Sequence, residues 1–202
     1  MLTLLDYRRQ VTELYQRVRT LGTDTPQAHA LWTTTRDALF GEHPQSALTA
    51  EQRDTFAGLA YAPYDPAYRV IATLDTTIEP CTYTLSVGED GTVQMLQIGR
   101  VIFDMPTGQG ELGVFWLEGY GGGVFIPFKD TSNGKTTYGG GRYLYDTIKG
   151  ADLGQIDDAL VLDFNYSYHP SCYYNPRWVC PLAPASNRLP FPIPIGEQLL
   201  PD

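Results

Sequence analysis

The residues of this chain best suited to chemistry crowd into its last third. His169, Cys172 and Cys180 stand close together in YHPSCYYNPRWVC. A neutral imidazole and thiolates are good ligands for zinc, and a His-x2-Cys spacing is compact enough to share one ion. A closed structural site needs a fourth ligand, however, and no paired Cys-x2-Cys knuckle provides it. Asp163 and Cys81 are the remaining donors, and spacing points to neither. A metal-dependent hydrolase would manage with three ligands and a water. The simpler expectation is a Cys172–Cys180 disulfide, or two buried thiols. A nucleophilic Cys172 beside His169 is weaker still, because catalytic partners usually meet through the fold rather than by adjacency. No Gly-x-Ser-x-Gly elbow occurs, and His29 and His43 read as surface or packing residues.

A second group lies in PFKDTSNGKTTYGGGRYL, Pro127 to Leu144. Asp130, Tyr138 and Arg142 flank two turn signals there, and Asp163 and Asn165 follow at the end of a β-forming run. Arg142 offers a rigid two-pronged donor to a carboxylate or phosphate, and Asp163 could orient that ligand or act as a general base. The competing reading is a structural ion pair of Arg142 with Asp130 or Asp163. The two readings separate cleanly. A ligand clamp predicts that Arg142→Ala abolishes binding and spares the melting temperature, whereas an ion pair predicts loss of folding. Neither glycine cluster matches the lysine-containing phosphate loop. The rings of Tyr143, Tyr145, Tyr166, Tyr168, Tyr173, Tyr174 and Trp178 could floor a pocket, though ordinary packing accounts for most of them.

The elements that must hold these residues are legible in outline. The chain has 202 residues, long enough for one domain with a substantial core. Its 14 basic and 23 acidic residues leave a net charge of −9, which repels nucleic-acid backbones and anionic membranes. A small-molecule ligand is the expected partner. MLTLLDYRRQVTELYQRVRT lacks the apolar run of a signal peptide, and nothing later approaches a membrane span. These features predict a cytoplasmic protein with reduced cysteines.

Leu4, Tyr7, Val11, Leu14, Val18 and Leu21 recur at helical steps, ending at Gly22. A second helix is expected from Thr25 with Pro26 in its first turn, burying Leu31, Thr35, Ala38 and Leu39 with Trp32 beside them. Thr49 and Gln52 have the spacing of a capping box for a short third helix. From Tyr61 the pattern changes to short β-forming runs: YRVIATL, CTYTLSV, VQMLQIGRVIF, ELGVFWLEG, GVFIPF, RYLYDTI and ALVLDF. Turn signals such as GEDG, PTGQG and KDTSNGK separate them, with no helices between. The expected fold is one α+β domain: N-terminal helices over residues 1–60, then an antiparallel β-sandwich or partly open β-barrel over 61–165. Residues 166–202 are proline-dense and should close over the sheet in extended conformation.

Several of these segments together resemble a bacterial and archaeal family known only as a domain of unknown function, number sixteen eighty-four. The resemblance rests on Pro127-Phe128-Lys129-Asp130, Thr136-Thr137-Tyr138, Gly141-Arg142-Tyr143-Leu144 and Leu162-Asp163-Phe164-Asn165. It continues through Tyr168 to Cys172, Cys180-Pro181-Leu182, Asn187-Arg188-Leu189-Pro190 and Gly196-Glu197. WTTTRDALFGEHPQSALT, with Trp32, Arg36 and Asp37, and YDPAYR look similar as well. The turn DTSNGKTTY is slightly longer than the family pattern, which puts the position of that loop in doubt. The resemblance implies a fold and a site location, and no activity or cofactor. The leading expectation is a small-molecule-binding protein, with catalysis left open, whose polar pocket uses Asp130, Tyr138, Arg142, Asp163 and Asn165 to take an anionic or polar ligand. A metal-binding module or hydrolase using His169, Cys172 and Cys180, with zinc as its ion, and a scaffold with no pocket are the alternatives.

Overall fold

The computed structural model describes residues 2–88 and 91–200. The tip of the GEDG turn, Glu89 and Asp90, lies outside the described residues.

The chain opens with helix α1, Leu2–Leu21, and helix α2, Pro26–Glu42. Gly22 separates them at a φ of +87°, a conformation that glycine adopts without steric penalty. Thr25 caps α2, its Oγ1 accepting the Ala28 N–H at 3.1 Å, and Pro26 occupies the first turn. Helix α3, Ala50–Asp54, carries the full capping box: the Gln52 N–H donates to Thr49 Oγ1 and the Thr49 N–H to Gln52 Oε1. Among the described residues no helix is long and apolar enough to cross a membrane.

The apolar stripe of α1 is only partly buried. Leu14 and Val18 reach the core, while Leu4 and Leu21 at its ends are exposed. The buried face of α2 is rotated from the expected one. It presents Ala28, His29, Trp32, Arg36, Leu39 and Phe40, and leaves Ala38 in solvent. The cause is Trp32, which is fully buried and turns its own face inward, carrying Arg36 with it.

Eight strands follow: β1 Arg69–Thr73, β2 Cys81–Ser86, β3 Thr92–Met105, β4 Gly108–Leu117, β5 Gly123–Phe128, β6 Arg142–Asp146, β7 Gln155–Ile156 and β8 Ala159–Asp163. Among the described residues they form two antiparallel sheets, ordered β2-β3-β4-β5-β6 and β1-β8-β7, with no closed barrel. Each of the seven β-forming runs becomes a strand. The eighth, β7, is two exposed residues long, and so short a strand leaves no periodic trace.

The main core lies between the sheets. Val101, Phe103, Leu112, Val114, Ile126 and Phe128 meet Ala72, Leu162 and Phe164. The helices attach through a second cluster, in which Leu14, Val18 and Trp32 pack on Val161 and Tyr166. The C-terminal segment closes the first core in an alternating pattern. Leu189, Phe191, Ile193 and Ile195 point inward, while Pro190, Pro192 and Pro194 face solvent. A proline has no N–H to donate, so this extended stretch cannot be held by a regular ladder. Its carbonyls must find donors elsewhere: the Thr131 N–H serves Phe191, and Arg142 serves Ile193 and Ile195.

Candidate functional site

Arg142 lies within β6 and is fully buried, with its guanidinium 2.9 Å from Asp130. One Nη donates to the Ile193 carbonyl at 2.7 Å, and the other to the carbonyls of Ile195 and, more distantly, Glu197. Asp130 Oδ1 in turn accepts the Ser132 N–H. The pair therefore links the turn after β5 to the proline-rich strap. Gly141 serves the same contact. Its φ is +94°, and a Cβ there would collide with the Phe128 carbonyl. Gly141→Ala is expected to cost about 2 kcal/mol or more through strain and clash together, seen as a lower denaturation midpoint with an unchanged m-value.

Asp163 and Asn165 form a separate network. Asp163 Oδ1 accepts from the backbone N–H and the side-chain amide of Asn165, and Asn165 exchanges two hydrogen bonds with the backbone of Asp65. Asp163 Oδ2 is buried without a partner, and burial first of all raises this carboxyl to about 7. The third position is Tyr138. Its backbone N–H donates to His169 Nε2 at 3.1 Å, and its hydroxyl lies 3.8 Å from Cys172 Sγ. The structure thus brings Asp130 to Arg142, Asp163 to Asn165 and Tyr138 to Cys172. It does not gather the five around one space.

The space lies elsewhere. A cavity of about 400 Å³ opens between α1, α2 and the closing segment, and Asp130, Tyr138, Arg142, Asp163 and Asn165 are absent from its wall. Helix α1 contributes Tyr7, Val11 and Tyr15, and α2 contributes Arg36 and Phe40. The opposite wall is Tyr143 of β6, Lys149, and the segments Tyr168–Ser171 and Trp178–Pro181. That wall is positioned by backbone pairing. Tyr143 and Tyr168 exchange N–H···O bonds, and the Tyr143 hydroxyl donates to the Pro181 carbonyl, tying down the far side. A shallower hollow along one face of α1, beside Glu13 and Arg17, is lined by that helix alone.

Among the described residues the cavity wall carries Arg8, Arg36 and Lys149, and no aspartate or glutamate. Arg36 is buried under the rings of Trp32, Phe40 and Tyr168, at 4.8, 5.3 and 4.9 Å from their centroids. Behind it Glu197 Oε2 accepts from Arg36 at 2.7 Å and from the His169 N–H at 3.0 Å. Burial raises Glu197 to about 7 against the pull of Arg36 and of the His169 N–H. Lys149 reaches in from the other side, half-exposed and 3.2 Å from Asp146. Burial opposes its charge, but Asp146 and the Cys180 sulfur outweigh burial and hold its ammonium above the ordinary range.

Cys172 and Cys180 are free, half-buried thiols, and Cys180 lines the cavity. The two side chains act on each other's proton affinity in opposite senses, one thiol being pushed up and the other down. These residues do not suit a metal ion. Among the described residues no three His, Cys, Asp or Glu side chains converge on one point. The His169 lone pair at Nε2 is already taken by the Tyr138 N–H, and its Nδ1 faces Glu197 at 3.7 Å. Burial, first of all, with Arg142 and Arg36, lowers this imidazole to about 3, so it stays neutral.

Comparison with known proteins agrees with the fold. The family model described as "Protein of unknown function (DUF1684)" matches residues 54–198. The chain belongs to this family. Among solved structures, an uncharacterised protein from gene locus rrnAC0354 of Haloarcula marismortui, determined by solution NMR, is 35% identical. The alignment covers 83% of this chain and 90% of that one, with a TM-score of 0.58. No curated protein matches. The match to the DUF1684 family begins after α1 and α2, so those two helices, which supply Arg36 and one wall of the cavity, lie outside the matched residues.

Sequence reasoning missed Arg36 and Lys149 as site residues. Arg36 stood among the residues resembling the family, but a single arginine in a helix reads as solvated. Lys149 has no motif, and only the 3-10 turn Thr147–Lys149 after β6 aims it at the closing segment. Of the suggested aromatics, Tyr143, Tyr168 and Trp178 line the cavity. Tyr145 and Tyr166 are core residues.

Proposed function

We propose that this protein binds a small organic anion with an apolar or aromatic body in the cavity between α1, α2 and the closing segment. The observation that carries this reading is the lining. Three cationic residues and a ring of aromatics face the cavity, without one carboxylate, in a chain whose net charge is −9. Field lines from Lys149 and Arg36 converge in a low-dielectric hollow, and an anion gains most from such charges. Tyr7, Tyr143 and Tyr168 supply flat apolar area for the rest of the ligand. Arg36 is fixed by Glu197 and three rings, so it acts as a standing charge, and half-exposed Lys149, 3.2 Å from Asp146, is the second cation.

The test is paired titration calorimetry with 1-naphthoate and its neutral amide, which share a body and differ in charge. The carboxylate should bind at least about tenfold more tightly, which is 1.4 kcal/mol. Lys149→Gln should remove most of that preference while leaving binding of the amide unchanged. Equal affinity for the two compounds in the unmodified protein sinks the proposal.

A further inference from the structure

Two polar groups of the cavity wall are not spent on the fold. The Arg36 guanidinium donates from Nε to the Tyr61 hydroxyl at 3.1 Å and from Nη2 to Glu197 Oε2 at 2.7 Å. Its remaining nitrogen, Nη1, has no hydrogen-bond partner among the described residues, yet it is not sealed inside the protein as the unpartnered Arg142 Nε is. The Tyr168 hydroxyl is in the same condition, whereas the unpartnered hydroxyls of Tyr64 and Tyr174 are sealed. Both Arg36 and Tyr168 line the cavity, and the guanidinium lies over the Tyr168 ring, 4.9 Å from its centroid. The two unspent donors therefore open on one end of the space. It is the deep end, since the Arg36 side chain is 11% exposed against 52% for Lys149.

We infer that this deep end is a carbonyl site, where Arg36 Nη1 and the Tyr168 hydroxyl donate to one ligand oxygen, and that the ligand is a keto acid. Its carboxylate is held by Lys149, and its ketone lies at the far end of an apolar body. The carboxylate half of this assignment rests on the anion reading above; the carbonyl half needs only that the cavity takes a ligand.

The chemistry of the donors selects the group. A guanidinium has hydrogens to give and no lone pair to offer, so its partner must be an acceptor. Burial raises the Tyr168 phenol well above the ordinary range, so it keeps its proton to donate. A carbonyl oxygen has two lone pairs and no hydrogen, which matches two donors. A methylene in the same place would strip both donors of water and return nothing. A second carboxylate fits less well. Glu197 already holds this guanidinium at 2.7 Å, and another anion on Nη1 would stand against that carboxylate in a low-dielectric space. A neutral acceptor meets no such repulsion.

Titration of the full chain with two pairs of probes tests the site. One pair is 6-acetyl-2-naphthoate and 6-ethyl-2-naphthoate, and the other is 2-acetylnaphthalene and 2-ethylnaphthalene, which lack the carboxylate. The acetyl member of each pair should bind at least about tenfold more tightly. Tyr168→Phe should cut that ratio about fivefold and leave the ethyl compounds binding as before. The hydroxyl has no partner among the described residues, so the variant should also keep the melting temperature of the unmodified protein. Equal affinity within both pairs overturns the carbonyl site and leaves the anion reading to its own test. An acetyl preference in both pairs, with the carboxylate adding nothing, keeps the carbonyl site and overturns the anion reading. An undiminished ratio in a folded Tyr168→Phe overturns the two-donor site. Tighter binding of 2,6-naphthalenedicarboxylate than of 6-acetyl-2-naphthoate overturns the neutral carbonyl in favour of a second anion.

Discussion

Replacing Arg142 with alanine is expected to destabilise the protein by about 3–5 kcal/mol, because it strands one member of a fully buried ion pair. For a chain of this size that corresponds to a fall in melting temperature of roughly 10 °C. The loss has two parts. Asp130 keeps its Ser132 hydrogen bond but loses the guanidinium that pairs with it. The Ile193 carbonyl loses its donor, and the Ile195 carbonyl keeps only a long contact from Gln198 Nε2 at 3.4 Å. The strap carrying Phe191, Ile193 and Ile195 should then loosen from the sheet, which thermal melting and hydrogen exchange of these residues would report. Removing both charges as Arg142→Met with Asp130→Asn should recover part of the stability, since the stranded carboxylate is then gone. A shift below about 2 °C in the single variant would show that the strap does not depend on the guanidinium.

The contrast with the ligand-clamp expectation shows where sequence reasoning loses its grip. Thr25, Thr49 and Gln52 announce helix starts because capping is decided within three residues of chain. The seven strand runs are equally local, since alternation and turn signals are enough. Even the strap is visible once Leu-Pro-Phe-Pro-Ile-Pro-Ile is read as apolar-in and proline-out. What cannot be read locally is which buried charge serves the fold and which serves a cavity. Arg142 in GGGRYL and Arg36 in TTTRDAL are both single arginines with no charged motif around them to assign a role. One is consumed by backbone carbonyls contributed some fifty residues away. The other is framed by rings from α2 and from Tyr168, and it faces open space. The difference comes from tertiary neighbours at long sequence separation.

Asp163 gives the second large effect, and it is a pH effect with a definite sign. Its Oδ1 is held by Asn165, but Oδ2 is buried without a partner, and burial raises the carboxyl from 3.8 to about 7. The folded state therefore holds this proton more tightly than the unfolded chain does. The stability it contributes is complete below pH 3.8 and is lost as pH rises through about 7. Each unit in that window is worth about 1.4 kcal/mol for one proton, so the full swing is roughly 4 kcal/mol. Glu197, raised to about 7 by burial, acts in the same direction, whereas His169, lowered to about 3, acts in the opposite one. Asp163→Asn isolates the first of these. The variant keeps the shape of the protonated side chain and cannot ionise, so it should match the unmodified protein below pH 3.8 and already exceed it by about 1.6 kcal/mol at pH 5. Between pH 5 and pH 8 the unmodified protein should lose stability relative to the variant by about 2–3 kcal/mol. Urea denaturation at four pH values measures that difference directly, because the contributions of Glu197 and His169 are common to both proteins. Parallel curves would mean that Asp163 is ionised at low cost, and that its free oxygen has a partner in solution. A widening gap toward pH 8 would identify Asp163 as a buried carboxyl kept protonated by the fold.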